Sequence, residues 1–174
     1  MIDLRSIKAL TFDVGGTVFD WHSSIVDELD RIATERGGNI DKTQFANQWR
    51  RQMFERLAEV RSGHLRWMNA DQIHRGVLDD IAPDYPELGL TSTDKDDLTQ
   101  VWHRLKIWPD APDAIKRLRT RYTVVVLTVL SWAIAVDTSK AGGLEWDGIL
   151  SCEFLGHYKP DAEAYHTGLR ALGV

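Results

Sequence analysis

The sequence lacks the features that would direct a chain out of the cytoplasm or into a membrane. It contains one cysteine, Cys152, so no disulfide can form within the chain. Its N-terminus lacks the basic and then apolar pattern of a secretory signal. Its longest apolar run, around residues 124–127, is far shorter than the roughly 20 residues that span a bilayer. We therefore expect a cytoplasmic protein that does not enter the membrane.

Charge of one sign is not concentrated anywhere along the chain. The 26 acidic and 21 basic residues give a net charge of −5 and form no long block of one sign. Nucleic acids and acidic membrane surfaces bind basic patches. The sequence therefore predicts neither of them as a partner.

Apolar residues make up 43% of the 174 residues, which is enough to form one sizeable core. Residues 7–12 predict a buried strand, and strands and helices alternate again after Trp108. The predicted elements there are helix 111–121, strand 122–128, helix 132–141, strand 148–152 and helix 161–172. Such alternation is typical of a parallel sheet with crossover helices.

The intervening residues 21–106 differ from both flanks, because they have amphipathic helical spacing and many charges. The predicted helices are 23–36, 42–60, 70–81 and 92–105. The sequence thus predicts an α/β core, formed by residues 1–20 and 107–174, with a helical insertion at 21–106. Only three core strands are visible, which is few for such a sheet. We expect the remaining strands to be missing through truncation or to be supplied by a partner.

One carboxylate, Asp13, directly follows the first predicted strand and enters a glycine turn at Gly15-Gly16. In open α/β sheets the carboxyl ends of the strands face the ligand crevice. Two interpretations stay open at this point. Asp13 is either a nucleophile or an aspartate that only accepts backbone hydrogen bonds in the turn.

Polar side chains also follow the other two predicted core strands. Thr128 ends the second strand, and Ser131 precedes the next helix; together they either bind an anionic oxygen or only bond the backbone and cap the helix. Lys159 follows the third strand and either holds Asp13 ionised or is a solvated loop residue. Because these groups follow strands of one sheet, we expect them to meet at its carboxyl edge.

This ordered set resembles the haloacid dehalogenase superfamily, over essentially the whole chain. Asp13 with Gly16-Thr17 resembles the first motif of that superfamily, Thr128 the second and Lys159-Pro160-Asp161 the third. The segments most similar to its L-2-haloacid dehalogenases are Phe12–Ser23, Trp49-Arg50 and Tyr158–Asp161 with Tyr165. The resemblance implies a Rossmann-like parallel sheet with a helical cap at 21–106. It also implies hydrolysis of short 2-haloalkanoic acids without a cofactor, in which Asp13 displaces halide and water then cleaves the ester.

The resemblance further implies a role for each site residue. Lys159 would keep Asp13 ionised, while Thr17 and Thr128 would orient its carboxylate or the substrate oxygens. Arg50 would bind the substrate carboxylate and approach the leaving halide. Three further residues are candidate substrate contacts: Trp49, Tyr165 and Gly15. Core packing is the alternative role for Tyr165. Trp67 and Trp102, like Trp49, either line an apolar pocket or pack inside the cap.

Three features depart from the dehalogenase pattern. Gly15 stands where these enzymes usually carry tyrosine, and Thr128-Val129-Leu130 stands where they carry Ser-Asn-Gly. The fourth motif, which helps to activate the hydrolytic water, would lie beyond Val174. We therefore expect Asp13 to be esterified more readily than it is released.

Two alternative functions remain. A phosphatase or phosphonatase would use the same Asp13, but phosphatases place a second aspartate where Gly15 stands, which leaves a poor magnesium site. A phosphonatase would also need a cap lysine, for which Lys42, Lys95 and Lys106 are the candidates. The other alternative is a noncatalytic fragment whose sheet is completed by homodimerisation.

Overall fold

A computed structural model describes residues 6–173. Its elements in chain order are β1 (Ala9–Phe12), β2 (Phe19–Asp20), α1 (Trp21–Arg36), α2 (Lys42–Arg61), α3 (Ala70–Ile81), α4 (Ser92–Thr99), β3 (Lys106–Ile107), α5 (Ala111–Arg119), β4 (Thr123–Thr128), α6 (Trp132–Ala141), β5 (Gly148–Ser151), α7 (Cys152–Leu155) and α8 (Ala162–Leu172). Short 3-10 turns lie at Ala82–Asp84, Pro86–Leu88 and Gln100–Arg104. The chain divides into two compact units. The first holds the described residues up to Asp20 and from Lys106 onward, and the second is Trp21–Leu105.

The first unit is built on a parallel sheet with the strand order β1-β4-β5. Phe12 pairs with Val126, and Thr128 pairs with Ser151, so the carboxyl ends of the three strands lie at one edge. Residues 124–127 of the central strand are buried, as expected for a strand covered on both faces. The prediction of an α/β fold with a parallel sheet is confirmed.

A small antiparallel ribbon accompanies this sheet. In it Phe19 of β2 pairs with Ile107 of β3, and Asp20 pairs with Lys106. Sequence patterning did not predict these strands, because two residues are too few to show an alternation of polar and apolar side chains.

The second unit consists of α1 to α4 and the 3-10 turns. Its core contains Trp49 and Trp102, whose rings meet edge to face with their centroids 5.6 Å apart. α3 begins with a capping box, in which the Asn69 side chain accepts from the Gln72 backbone while the Gln72 side chain accepts from the Asn69 backbone. Among residues 6–173, no helix is both long enough and apolar enough to cross a membrane.

Several predicted boundaries differ from the structure by one or two residues; for example, strand 7–12 begins at Ala9 and helix 111–121 ends at Arg119. Two further predictions are wrong about the kind of structure at the end of the element. The predicted helix 92–105 ends as an α-helix at Thr99 and continues as the 3-10 turn Gln100–Arg104, which buries Trp102. The predicted strand 148–152 ends at Ser151. There the Ser151 hydroxyl accepts the Glu153 N–H at 3.2 Å and caps α7, so Cys152 is helical.

Candidate active site

The chain turns sharply after β1, and Asp13 is the first residue of the turn. Gly16 has a φ of +107°, a conformation that a side chain would oppose. The Gly16 N–H donates to the Phe19 carbonyl at 2.9 Å, and the Phe19 N–H donates to the Val14 carbonyl at 2.8 Å. The closed turn presents the Asp13 side chain at the carboxyl end of β1, where 44% of it is exposed.

Lys159 forms an ion pair with Asp13. Its Nζ donates to Asp13 Oδ1 at 2.8 Å and to the Leu127 carbonyl at 2.7 Å. Only 15% of the lysine side chain is exposed, so its ammonium is held in one place rather than sampling solvent. The lysine thereby links the end of β4 to the carboxylate that follows β1.

Thr17 holds the other oxygen of the carboxylate, since its hydroxyl donates to Asp13 Oδ2 at 3.1 Å. Each oxygen therefore has its own donor, a cation on Oδ1 and a neutral hydroxyl on Oδ2. A carboxylate oxygen has two acceptor positions, so each oxygen keeps one for a reacting atom. The structure brings Asp13, Thr17 and Lys159 together.

Thr128 and Ser131 have structural partners at the same edge of the sheet. The buried Thr128 hydroxyl accepts the Leu130 N–H at 3.0 Å, and the buried Ser131 hydroxyl accepts the Ile134 N–H at 3.2 Å and caps α6. In the described residues Thr128 makes no hydrogen bond with Asp13. A role for Thr128 toward a substrate stays a prediction.

Gly15 and Tyr165 were the other predicted substrate contacts in this unit. Gly15 lies inside the turn and forms an isolated bridge with Phe19. Tyr165 lies on α8 with 42% of its surface exposed, and its hydroxyl bonds none of residues 6–173. Their contacts with a substrate stay predictions.

Trp49 and Arg50 lie on α2 in the helical unit. Trp49 is completely buried, and its indole N–H donates to the His74 carbonyl at 2.9 Å, which is a packing role. The Arg50 guanidinium lies 4.4 Å from the centroid of the Phe54 ring and 5.2 Å from that of Trp21. A guanidinium stacked on aromatic rings is fixed in direction, which suits a bidentate contact with a carboxylate.

Cys152 is a second potential nucleophile of the first unit. It is completely buried, and this burial raises the pKa of its thiol above the usual value. The thiol is therefore protonated near neutral pH and weakly nucleophilic. Asp13 combines exposure with a charged partner, so it is the better candidate.

Metal-binding geometry is absent from the part of the chain that the structure describes. Within residues 6–173, no three His, Cys, Asp or Glu side chains are grouped so that they could hold a metal ion.

Sequence reasoning missed two groups that shape this site. The Leu127 carbonyl anchors Lys159, and as a backbone atom it leaves no signal in the sequence. Trp108 donates its indole N–H to the Gly16 carbonyl at 3.0 Å. Its signal in the sequence is a tryptophan directly before Pro109-Asp110 at the start of a helix, which indicates a boundary between elements but not a contact with Gly16.

Comparison with known proteins gives consistent matches over most of the chain. The model of a family described as haloacid dehalogenase-like hydrolase matches residues 7–174. The (S)-2-haloacid dehalogenase of Pseudomonas sp. (strain YL) is 28% identical over 171 residues, which are 97% of this chain and 70% of that protein. The crystal structure of an L-2-haloacid dehalogenase is 32% identical with a TM-score of 0.91, covering 97% of this chain and 72% of the other. The crystal structure of a defluorinating L-2-haloacid dehalogenase is 28% identical with a TM-score of 0.90, and the match covers 97% of this chain and 69% of the other.

Proposed function

This chain belongs to the haloacid dehalogenase-like hydrolases, and from that membership we propose that it hydrolyses short 2-haloalkanoic acids through an ester on Asp13. The names of its relatives support the substrate class, since they include an (S)-2-haloacid dehalogenase and a haloacetate dehalogenase. We expect the reaction to need no metal or organic cofactor.

The observation that carries the proposal is the way in which the Asp13 carboxylate is held. It is 44% exposed, and a separate donor fixes each of its oxygens. A displacement at carbon requires an oxygen that is aimed at the carbon and still has a lone pair available. Two donors fix the direction of the carboxylate without occupying all of its acceptor positions.

The reaction balances with water as the only second reactant. One Asp13 oxygen attacks C2 of the acid, the carbon–halogen bond breaks, and the halide leaves with the bonding electrons. Water then adds to the Asp13 carboxyl carbon, which releases the 2-hydroxy acid, one proton and the free carboxylate. When water adds, negative charge develops on the Asp13 oxygen that is not bonded to the substrate. The donor to that oxygen, Lys159 or Thr17, stabilises this charge.

Arg50 is the candidate that the sequence offers for binding the substrate carboxylate. Its guanidinium is the planar, permanently charged group that pairs with carboxylates through two parallel hydrogen bonds. Its position against Phe54 and Trp21 supports this assignment, because stacking restricts the guanidinium before any substrate binds.

The direct test is incubation of the protein with L-2-chloropropionate in the absence of magnesium. We expect chloride release together with an ester adduct on Asp13 in the intact mass. The variant Asp13→Asn should release no chloride. Asp113→Asn, which neutralises an exposed carboxylate on α5 of the same unit, should behave like the wild type.

Oxygen labelling distinguishes the ester route from direct attack by water. In a single turnover in ¹⁸O-labelled water, the new hydroxyl oxygen comes from Asp13 and is unlabelled. A labelled product would contradict the ester on Asp13. A lack of both chloride and adduct would reject dehalogenation, and magnesium-dependent phosphate release from a phosphate ester would then favour a phosphatase.

A further inference from the structure

Trp108 contacts the turn that carries Asp13 at two points. Its indole N–H donates to the Gly16 carbonyl at 3.0 Å, and its backbone N–H donates to the Val18 carbonyl at 3.0 Å. These two carbonyls flank Thr17, whose hydroxyl donates to Asp13 Oδ2. Trp108 therefore holds both neighbours of the residue that orients the carboxylate.

The internal hydrogen bonds of the turn do not use the carbonyls of Gly16 and Val18. They run from the N–H groups of Gly16, Val18 and Phe19 to the carbonyls of Val14 and Phe19. Glycine has no Cβ to restrict its backbone angles, so the peptide that joins Gly16 to Thr17 can rotate more freely unless something holds its carbonyl.

Trp108 is itself anchored on both sides. Directly before it, Ile107 pairs with Phe19 in the β2–β3 ribbon. Directly after it, the Trp108 carbonyl accepts the Ala111 N–H at 3.0 Å as α5 begins. Trp108 as a whole is 40% exposed, so it contributes less to core packing than a buried tryptophan would. Its best-defined interaction is the hydrogen bond to Gly16.

We propose that Trp108 is a positioning residue: its indole N–H fixes the Gly16–Thr17 peptide and thereby keeps the Thr17 hydroxyl on Asp13. The indole can only donate, so it holds the Gly16 carbonyl in one orientation. This inference rests on the proposed function of Asp13 as the nucleophile.

The test variant is Trp108→Phe, which removes the indole N–H but keeps an aromatic ring and the backbone N–H. Trp146→Phe is the matched control. Trp146 lies in the same unit, and its indole N–H donates to the Ser139 hydroxyl at 2.9 Å, outside the Asp13 turn. Each variant loses one indole hydrogen bond, so we expect similar small decreases in Tm.

Single-turnover kinetics with L-2-chloropropionate separate positioning from stability. In Trp108→Phe, ester formation should slow about fivefold, the rate equivalent of one net hydrogen bond. The substrate concentration that gives the half-maximal single-turnover rate should stay nearly unchanged. Trp146→Phe should form the ester at the wild-type rate. Equal rates for Trp108→Phe and the wild type would overturn the inference, even if the variant is less stable.

Amide hydrogen exchange of Gly16 and Phe19 provides a readout that does not depend on activity. Exchange should accelerate about fivefold in Trp108→Phe and stay unchanged in Trp146→Phe. Unchanged exchange in Trp108→Phe would overturn the inference. A wild type that forms no ester would overturn the role of Asp13 and with it this account of Trp108, whatever the exchange shows.

Discussion

Lys159 donates to two acceptors that differ in charge, the Asp13 carboxylate and the Leu127 carbonyl. Ester formation removes the charge of the carboxylate but leaves the carbonyl unchanged. The bond to Leu127 therefore keeps the ammonium in place after the first step of the proposed reaction, when the ester must be hydrolysed. One lysine can thus serve both steps, because its position does not depend on the charge of Asp13.

Replacing this lysine should impair both steps of the reaction. In Lys159→Met the aliphatic chain is retained and the ammonium is lost, so we expect ester formation to slow by about 100- to 1000-fold, as when one preorganised donor is removed. Single-turnover chloride release and intact mass measure this change. Lys140→Met, which alters an exposed lysine on α6, should retain the wild-type rate. A variant of Lys159 with a normal rate would show that the ion pair is only structural.

The order of side chains along the sequence predicted some of these contacts better than others. Asp13 and Lys159 each follow a core strand, and parallel strands bring such residues to one edge. Thr128 and Ser131 satisfied the same rule, yet their hydroxyls bond neighbouring backbone amides. Short hydroxyl side chains reach local N–H groups easily, and a sequence does not show which hydrogen-bond partner a hydroxyl takes. The longer lysine side chain reaches acceptors on other segments, as Lys159 does at Leu127 and Asp13.

Within the helical unit, α3 carries a histidine in an unusual environment. His74 is completely buried and stacks on Trp102, with 3.8 Å between the ring centroids. Neither ring nitrogen has a hydrogen-bond partner among the described residues. Burial lowers the pKa of His74 to about 3, with smaller contributions from Asp71, which opposes the shift, and from Arg50 and His103, which add to it.

The stability of this unit should therefore fall in mild acid. His74 has a pKa of about 3 when folded and an ordinary value of 6.5 when unfolded, so between these values the unfolded chain binds more protons. From pH 7.5 to 5.5 this one group should remove about 1.4 kcal/mol from the free energy of unfolding. Urea unfolding at the two pH values measures the loss.

The variant His74→Phe keeps an aromatic ring and cannot be protonated, so its stability should lose this pH dependence. His64→Gln is the control, because His64 is a histidine of the same unit whose side chain is 72% exposed. It should retain the acid sensitivity that comes from His74. An unchanged pH dependence in His74→Phe would show that the buried imidazole is not its source.

Two helices with clear start signals have the predicted bounds, whereas the shortest strands were not predicted at all. α3 and α6 have the predicted bounds because each begins at a capping residue, Asn69 or Ser131, and each shows several turns of helical spacing. β2 and β3 contain two residues each and depend on pairing across 86 to 88 positions of sequence. Such pairing is a tertiary interaction, which local patterns do not encode.

The sheet order of the first unit explains how distant segments form one site. Lys159 lies beyond β5, bonds the Leu127 carbonyl on β4, and reaches Asp13 after β1. The order β1-β4-β5 places the three segments side by side, although 146 positions separate the two charged residues. It also leaves β1 with a single partner strand, β4, among residues 6–173.

Among residues 6–173 no strand pairs with the second edge of β1, and such an edge can pair with a strand of another copy. We therefore expect this chain to self-associate in solution. Light scattering after size-exclusion chromatography at increasing protein concentration should show a mass that rises above that of one chain. Thr11→Lys places a charge on the exposed side of β1 and should shift the protein toward the monomer. Thr123→Lys is the matched control, since Thr123 is also exposed but lies on β4, which is paired on both sides. A wild type that stays monomeric while the β1 amides are protected from exchange would contradict association through this edge.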